Sequence, residues 1–138
     1  MDGAEDQRPQ PGRKPAILIV EDEVLLRMTL VDHLRDCGFL PLEADNAQEA
    51  IEILETGVEI DVVLTDVRMP GEMDGFGLAR WIRQHRPDLA VFVASGYSGK
   101  LDLAQELCSS EQFFAKPYDL DVIAARIHDH LAARASRR

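Results

Sequence analysis

Short, almost wholly apolar runs alternate along the chain with longer segments in which apolar residues recur at helical spacing. The runs are AILIV (16–20), FLPLEA (39–44), DVVLTD (61–66), AVFVAS (90–95) and QFFA (112–115), and each predicts a strand. Such strands, separated by amphipathic helices, are typical of a parallel sheet covered by helices on both faces. The pattern therefore predicts an α/β fold made of five repeats of strand and helix.

Helix signals fill the intervals between these runs. Apolar residues at helical spacing mark the first helix, namely Leu26, Leu30, Leu34 and Cys37. Gly38 is suited to follow the end of this helix, and either Asp45 or Asn46 can cap the second one. Further helices are predicted over 74–85, over 98–110 and from Asp119 onwards.

The length of 138 residues suits a single domain with one core. We predict a disordered leader over 1–15, a folded domain over 16–133 and a basic C-terminal tail over 134–138. The sequence has no run of about 18 apolar residues that could span a membrane. The first residues also lack the apolar core of a signal peptide. We therefore expect a cytoplasmic protein that makes no contact with a membrane.

Acidic residues outnumber basic ones by 25 to 15, which gives a formal net charge of −10. A surface of this charge repels the phosphate backbone, so we do not expect nucleic acid as a partner. Cys37 and Cys108 have no C-x-x-C spacing, and the cysteines therefore predict neither a metal site nor redox chemistry.

Polar side chains follow four of the predicted strands at the point where each strand ends. They are Glu21 and Asp22 after the first strand, Asp66 after the third, Ser95 after the fourth and Lys116 after the fifth. Because the carboxyl ends of parallel strands lie at one edge of the sheet, these side chains are expected to meet there. The sequence thus places a functional site at that edge.

Three carboxylates in one place repel each other by roughly 1 to 4 kcal/mol per close pair, depending on the local dielectric. A divalent cation would offset this repulsion. A cluster that offers only oxygen ligands and leaves room for water suits Mg²⁺. We therefore predict a magnesium site, with the amine of Lys116 as a further positive charge.

The chain resembles the response regulator receiver domain at Glu21-Asp22, at Asp66 with Met69-Pro70, at Ser95 and at Lys116-Pro117. The resemblance extends from about residue 16 to residue 131. It implies a flavodoxin-like, doubly wound (βα)5 fold. In that fold a five-stranded parallel sheet has the order 2-1-3-4-5 and helices cover both faces.

The resemblance also implies a role for each residue that handles phosphate. Asp66 would be the phosphoacceptor, whose carboxylate attacks phosphorus and forms an acyl phosphate. Lys116 would pair with one phosphoryl oxygen, and the Ser95 hydroxyl would donate to another. A carboxylate is already ionised at neutral pH, so Asp66 needs no general base. The chain would catalyse only its own phosphorylation and dephosphorylation, and in that sense would not be an enzyme.

The metal ligands follow from the same resemblance. Asp22 and Asp66 would hold Mg²⁺ through their side chains, Arg68 would offer its backbone carbonyl, and Glu21 would act mainly through metal-bound water. In the family the peptide bond before Pro117 is cis, and a trans bond with an ordinary turn is the alternative.

A phosphoryl group would change a surface made of the helix over 98–110, the fifth strand and the last helix. In the family an aromatic residue fills the space behind the moved hydroxyl, and here that residue is Phe113, which could equally be plain core. The phosphoryl donor would be a histidine kinase or a histidine phosphotransfer protein. The downstream protein target stays unknown, and dimerisation on phosphorylation, which is frequent in the family, stays open.

Other interpretations of the whole chain remain. Only seven residues follow Leu131, so we expect a stand-alone receiver in preference to one with a DNA-binding module; a receiver of a hybrid histidine kinase is the alternative. A phosphatase of the haloacid dehalogenase type would carry a second Asp at the position of Arg68. A nucleotide-binding protein would need a phosphate-cradling loop where the sequence has Glu21-Asp22-Glu23.

Overall fold

Five parallel strands form one sheet in the order β2-β1-β3-β4-β5. The structure is a computed structural model that describes residues 13–95, 113–116 and 119–136. The strands are β1 (Ala16–Val20), β2 (Leu40–Ala44), β3 (Val62–Asp66), β4 (Ala90–Ser95) and β5 (Phe113–Ala115). The described helices are α1 (Val24–Asp36), α2 (Ala47–Glu55), α3 (Gly75–His85) and α4 (Leu120–Ser136). The predicted fold class and strand order are confirmed, while the predicted helix over 98–110 lies outside the described residues.

The sheet separates two apolar layers, and alternate residues of each strand enter opposite layers. In β1, Ile17 and Ile19 pack with residues of α1 and α4, whereas Leu18 and Val20 pack with residues of α2 and α3. All five residues of β1 are buried. Burial on both faces explains why β1, β3 and β4 are almost continuously apolar.

The helix boundaries follow local capping chemistry. Asn46, and not Asp45, caps α2, because its side chain accepts a hydrogen bond from the backbone N–H of Glu49 at 2.8 Å. Gly38 follows α1 with a φ of 96°, a conformation that glycine adopts without strain.

The buried face of α1 differs in detail from the predicted one. Leu30 and Leu34 are buried as predicted, but Leu26 and Cys37 are only half-buried, and Val31 is buried as well. Within 13–95, 113–116 and 119–136, no helix is both long enough and apolar enough to cross a membrane.

Asp61, which directly precedes β3, forms a hydrogen bond with the first residue of β1. Its Oδ2 accepts a hydrogen bond from the backbone N–H of Ala16 at 2.7 Å, and its Oδ1 lies 3.2 Å from Nη2 of Arg13. Pro15 offers its carbonyl to the N–H of Leu40 at 2.8 Å, at the first residue of the edge strand β2. Within the described part of the chain, specific contacts therefore already include Arg13, three residues before the predicted start of the folded domain. These contacts lie at the edge of the sheet opposite the carboxyl ends of the strands.

The apolar contact of α4 with the sheet can be tested with two substitutions on that one helix. Ile127 is completely buried, whereas Val122 is 41% exposed. We expect Ile127→Ala to lower the free energy of unfolding by about 2–5 kcal/mol, because it leaves a cavity. Val122→Ala should change this free energy by less than about 0.5 kcal/mol. Urea denaturation measures both, and equal effects would contradict the described packing of α4.

Candidate functional site

The register of the sheet brings the predicted site residues into one row. Val20 lies opposite Thr65, so Glu21 follows beside Asp66. Asp66 lies opposite Ala94, one residue before Ser95. Ser95 in turn lies opposite Ala115, the residue before Lys116. Parallel pairing alone therefore gathers residues that are up to 95 positions apart in the sequence.

Three carboxylates form a cluster at this edge. Glu21, Asp22 and Asp66 each offer an oxygen, and these oxygens all lie within 4.8 Å of one another. The solvent exposure of the three residues increases across the cluster: Glu21 is buried, Asp66 is half-buried and Asp22 is exposed. A hard cation could thus meet carboxylates on its inner side and water on its outer side.

The two oxygens of Asp66 have different protein partners. Oδ1 accepts a hydrogen bond from the backbone N–H of Val67 at 2.8 Å. Oδ2 accepts one from Nζ of Lys116 at 3.1 Å. The same amine lies 3.9 Å from Oε1 of Glu21. The Asp66 side chain is 11% exposed, so it is held at the edge of the sheet but is not sealed from solvent.

Burial of Glu21 disfavours the ionised form of its carboxyl group. Burial is the largest cause that raises the pKa of Glu21, the neighbouring charges of Asp66 and Asp22 also raise it, and the net value is about 7. The backbone N–H of Glu23, 3.1 Å from Oε2, and the amine of Lys116 lower this pKa but do not compensate for the burial. Among residues 13–95, 113–116 and 119–136, the neighbouring groups therefore do not offset the cost of burying this carboxylate.

These donors fit a magnesium ion. All three side chains offer oxygen, the ligand that hard divalent cations prefer, and the counter-charge that the described residues give the Glu21 carboxyl is the Lys116 amine at 3.9 Å. Arg68, the predicted carbonyl ligand, is exposed and lies two residues beyond Asp66 in the loop that leaves β3. The chemistry of the donor set therefore agrees with the predicted metal.

Ser95 ends β4 and Phe113 begins β5, so both lie on the side of β3 that is opposite to β1 and the two acidic residues that follow it. Ser95 is buried at the end of β4, and its carbonyl accepts a hydrogen bond from the backbone N–H of Lys116 at 2.8 Å. Phe113 is buried in the layer that contains α2 and α3, and its carbonyl lies 3.4 Å from Nη1 of Arg126 in α4. Pro117, with its predicted cis bond, lies outside the described residues.

Gly75 is a site residue that the sequence analysis missed. Its N–H donates to the carbonyl of Val67 at 2.8 Å, which draws the start of α3 against the end of β3. A methyl group on Gly75 would collide with the carbonyl oxygen of Asp66 and would lie 2.9 Å from its carbonyl carbon. Glycine is therefore required for this close approach of backbone to backbone. The only signal in the sequence is the Asp74-Gly75 pair at the end of the loop.

Arg27 was also missed. Its Nη1 donates to the backbone carbonyl of Glu21 at 2.6 Å, and its Nε donates to Oε1 of Glu43 at 3.0 Å. The spacing of Glu23 and Arg27 is typical of an ion pair between residues four apart on a helix. In the structure the guanidinium of Arg27 contacts Glu43 and the carbonyl of Glu21 beside the acidic cluster. No pattern in the sequence predicts these partners in preference to Glu23.

The sequence of residues 17–128 matches the family described as the response regulator receiver domain, and this match covers most of the chain. The chain belongs to the response regulator receiver domain family. The strand order and the edge on which the carboxylates gather agree with this membership. The alternative of a haloacid dehalogenase-type phosphatase is not favoured by it.

Curated receiver relatives include proteins of very different size. The sensor kinase CckA of Brucella abortus is 38% identical over 118 residues, which are 83% of this chain and 12% of the kinase. The sporulation initiation phosphotransferase F of Bacillus subtilis is 30% identical over 122 residues, which are 87% of this chain and 96% of that protein. The receiver therefore spans a small part of the first relative and nearly all of the second.

Solved receiver structures support the same fold. The response regulator protein TrrA from Thermotoga maritima, in complex with Mg(2+)-BeF, is 26% identical and aligns with a TM-score of 0.75 over 83% of this chain and 97% of TrrA. A response regulator receiver domain protein from Clostridium thermocellum aligns with a TM-score of 0.79 at 23% identity, over 90% of this chain and 99% of that one, and shows the fold alone.

The raised pKa of Glu21 can be tested by measuring the free energy of unfolding as a function of pH. The buffer contains a chelator and no divalent cation. The pKa of Glu21 is about 7 in the folded receiver against an ordinary 4.5, so the folded state holds this proton more tightly. The stabilising effect of that proton is complete below pH 4.5 and is lost as the pH rises through about 7. Glu21→Gln cannot ionise and should escape this loss.

We therefore expect Glu21→Gln to be more stable than the wild type at pH 8, by at most about 3 kcal/mol, and to approach it near pH 5. Urea denaturation at both pH values measures the difference. Asp36→Asn, at an exposed position at the end of α1, is the control. A constant offset between wild type and Glu21→Gln across this pH range would show that the Glu21 carboxyl is not the group responsible.

Proposed function

We propose that this receiver accepts a phosphoryl group on Asp66 from a phosphorylated histidine of a kinase or phosphotransfer protein. The observation that carries the proposal is the position of Asp66. Its carboxylate lies at the end of a buried strand, 3.1 Å from the Lys116 amine, within a cluster of oxygens suited to a divalent cation. The chain then acts as the substrate of its own phosphorylation and turns over no other substrate.

The transfer needs positioning and charge more than covalent help. A carboxylate oxygen of Asp66 forms a bond to phosphorus, while the bond from phosphorus to the imidazole nitrogen breaks. The nitrogen leaves with the electron pair and then binds a proton as an ordinary histidine. Lys116 balances the charge on one phosphoryl oxygen, and the Ser95 hydroxyl donates to another.

Glu21, Asp22, Asp66 and the carbonyl of Arg68 would hold Mg²⁺. When bound, the ion neutralises charge on the phosphoryl oxygens during transfer. The crystal structure of the relative TrrA is of a complex with Mg(2+)-BeF, which supports the assignment. The burial of Glu21 within 4.8 Å of two further carboxylates supports it independently.

We further propose that the signal leaves through β5 and α4, together with the segment over 98–110. Lys116 directly follows β5, so a displacement of its amine toward a phosphoryl group would be transmitted to that strand. Phe113 begins β5, and Arg126 of α4 contacts both the Phe113 carbonyl and the ring of Phe114, at 5.1 Å from the ring centroid. A phosphoryl group adds nearly two negative charges beside these groups and can shift their packing.

The donor is proposed to dock beside the acidic edge on the exposed face of α1. Val24, Leu25 and Met28 are apolar and more than half exposed there, and Leu25 is 75% exposed. An apolar patch beside a reacting group suits a protein partner in preference to water. The relatives named sensor kinase and phosphotransferase support a donor of the histidine kinase or phosphotransfer class.

Two settings for the receiver follow from these relatives. The Bacillus phosphotransferase, which matches over nearly its whole length, supports a separate receiver that relays phosphate inside the cell. The Brucella kinase supports a receiver within a larger kinase. The size of the native protein in a cell lysate, determined with an antibody, distinguishes the two.

The phosphoacceptor is tested with acetyl phosphate and Mg²⁺, followed by intact-mass measurement. We expect the wild-type chain to gain one phosphoryl group and to gain none when the metal is chelated. Asp66→Asn should gain none, because an amide is not a nucleophile at phosphorus. Asp36→Asn should behave as the wild type does. A phosphoryl group that persists on the Asp66→Asn chain would place the acceptor elsewhere.

The donor surface is tested by phosphotransfer from a panel of purified, autophosphorylated histidine kinases. We expect Leu25→Asp to slow transfer from the kinase preferred by the wild type at least about tenfold, because a charge enters an apolar contact. Phosphorylation by acetyl phosphate should not change. Val58→Asp, at a 37% exposed position after α2, is the matched control. Unchanged kinase transfer in Leu25→Asp would exclude this face.

A further inference from the structure

Two of the three clustered carboxylates belong to one very short loop. Glu21, Asp22 and Glu23 alone connect β1 to α1. At the beginning of the loop, the backbone N–H of Glu21 donates a hydrogen bond to the carbonyl of Ala44 at 3.1 Å. The carboxylates repel one another, so the loop needs further contacts if it is to keep them together without a cation.

Arg27 provides the contact on the helix side. It lies one turn into α1, its side chain is only 14% exposed, and its Nη1 donates to the carbonyl of Glu21 at 2.6 Å. A hydrogen bond from a charged donor is about twice as strong as one between neutral groups. The contact fixes the main chain of Glu21 and therefore the direction in which the side chains of Glu21 and Asp22 leave it.

The guanidinium is itself held from two sides. Its Nε donates to Glu43 of β2 at 3.0 Å, and its Nη1 also donates to Asp45 in the loop after β2 at 2.5 Å. The N–H of Asp45 in turn donates to Oε1 of Glu49 in α2 at 2.5 Å. Arg27 thus joins the loop after β1 to the loop after β2.

We propose that Arg27 is a positioning residue for the cation site, which holds Glu21 and Asp22 in place through the carbonyl of Glu21. The proposal rests on the proposed function, because it presumes that the cluster binds Mg²⁺. It deepens that function by assigning part of the metal affinity to a residue that offers the metal no ligand.

Charge and positioning predict opposite effects, which makes the proposal decidable. If Arg27 acted only as a nearby positive charge, it would repel Mg²⁺, and its removal would tighten metal binding. If Arg27 holds the loop, its removal loosens two ligands and weakens metal binding. Residues that orient metal ligands commonly contribute tenfold or more to affinity.

The test is calorimetric titration of Mg²⁺ into the full chain, unphosphorylated, for the wild type, Arg27→Gln, Arg27→Lys and Arg35→Gln. Arg35 lies on the same helix, exposed and paired with Asp32, and is the matched control. We expect the Kd for Mg²⁺ to rise about tenfold or more in Arg27→Gln, to take an intermediate value in Arg27→Lys and to be unchanged in Arg35→Gln.

A second measurement separates positioning from a general loss of structure. The rate of phosphorylation by acetyl phosphate should depend on a higher Mg²⁺ concentration in Arg27→Gln but should return to within about twofold of the wild type at saturating Mg²⁺. A loss that saturating Mg²⁺ does not restore would overturn the positioning role.

An unchanged or lower Kd in Arg27→Gln also overturns the proposal. If thermal denaturation shows that Arg27→Gln is unfolded, the test depends on Arg27→Lys instead. A Kd for Mg²⁺ equal to that of the wild type in Arg27→Lys then overturns the proposal. A wild-type chain that does not bind Mg²⁺ overturns the proposed metal site and this inference together. Mg²⁺ binding by the wild type with equal binding by the Arg27 variants overturns the inference alone.

Discussion

The mutual repulsion of three carboxylates is the constraint on which the rest of this site depends. Parallel register places Glu21 beside Asp66, and the loop of three residues adds Asp22. The protein keeps these groups together with contacts to the backbone and one amine: the N–H of Val67 and Nζ of Lys116 bind Asp66. None of these contacts supplies the charge that a divalent cation would supply. The repulsion that remains between the carboxylates is what a divalent cation at this edge would relieve.

The fold could be predicted from the sequence because burial on both faces leaves so few alternatives for a strand. A run such as AILIV, followed at once by Glu21-Asp22, indicates both a central parallel strand and the edge at which it ends. The meeting of Asp66, Ser95 and Lys116 follows from that topology, since neighbouring parallel strands end together. The strand order came from the resemblance to receivers, because local patterns do not specify which strands are neighbours.

The sequence did not predict contacts that depend on the choice of a long side chain or on the space beside a backbone. Arg27 has several acidic groups within its range, and the helical spacing points to Glu23, whereas the folded chain offers Glu43 and the carbonyl of Glu21. Gly75 is required because α3 approaches the carbonyl of Asp66, and that distance exists only once β3 and α3 are packed. Both residues act on the site through main-chain atoms, which carry no residue-specific signal.

In the proposed function, the attachment of Lys116 to β5 defines the path of the signal. Before phosphorylation its amine is shared between Asp66 and, at 3.9 Å, Glu21, so it already counters the repulsion within the cluster. A phosphoryl group on Asp66 would compete for the same amine with more charge than a carboxylate carries. Movement of Nζ acts on a strand of only three residues, Phe113–Ala115, whose neighbours are β4 and Arg126 of α4. Such a short strand has few ladder hydrogen bonds to resist the displacement, so among the described strands β5 is the one that we expect to move most readily.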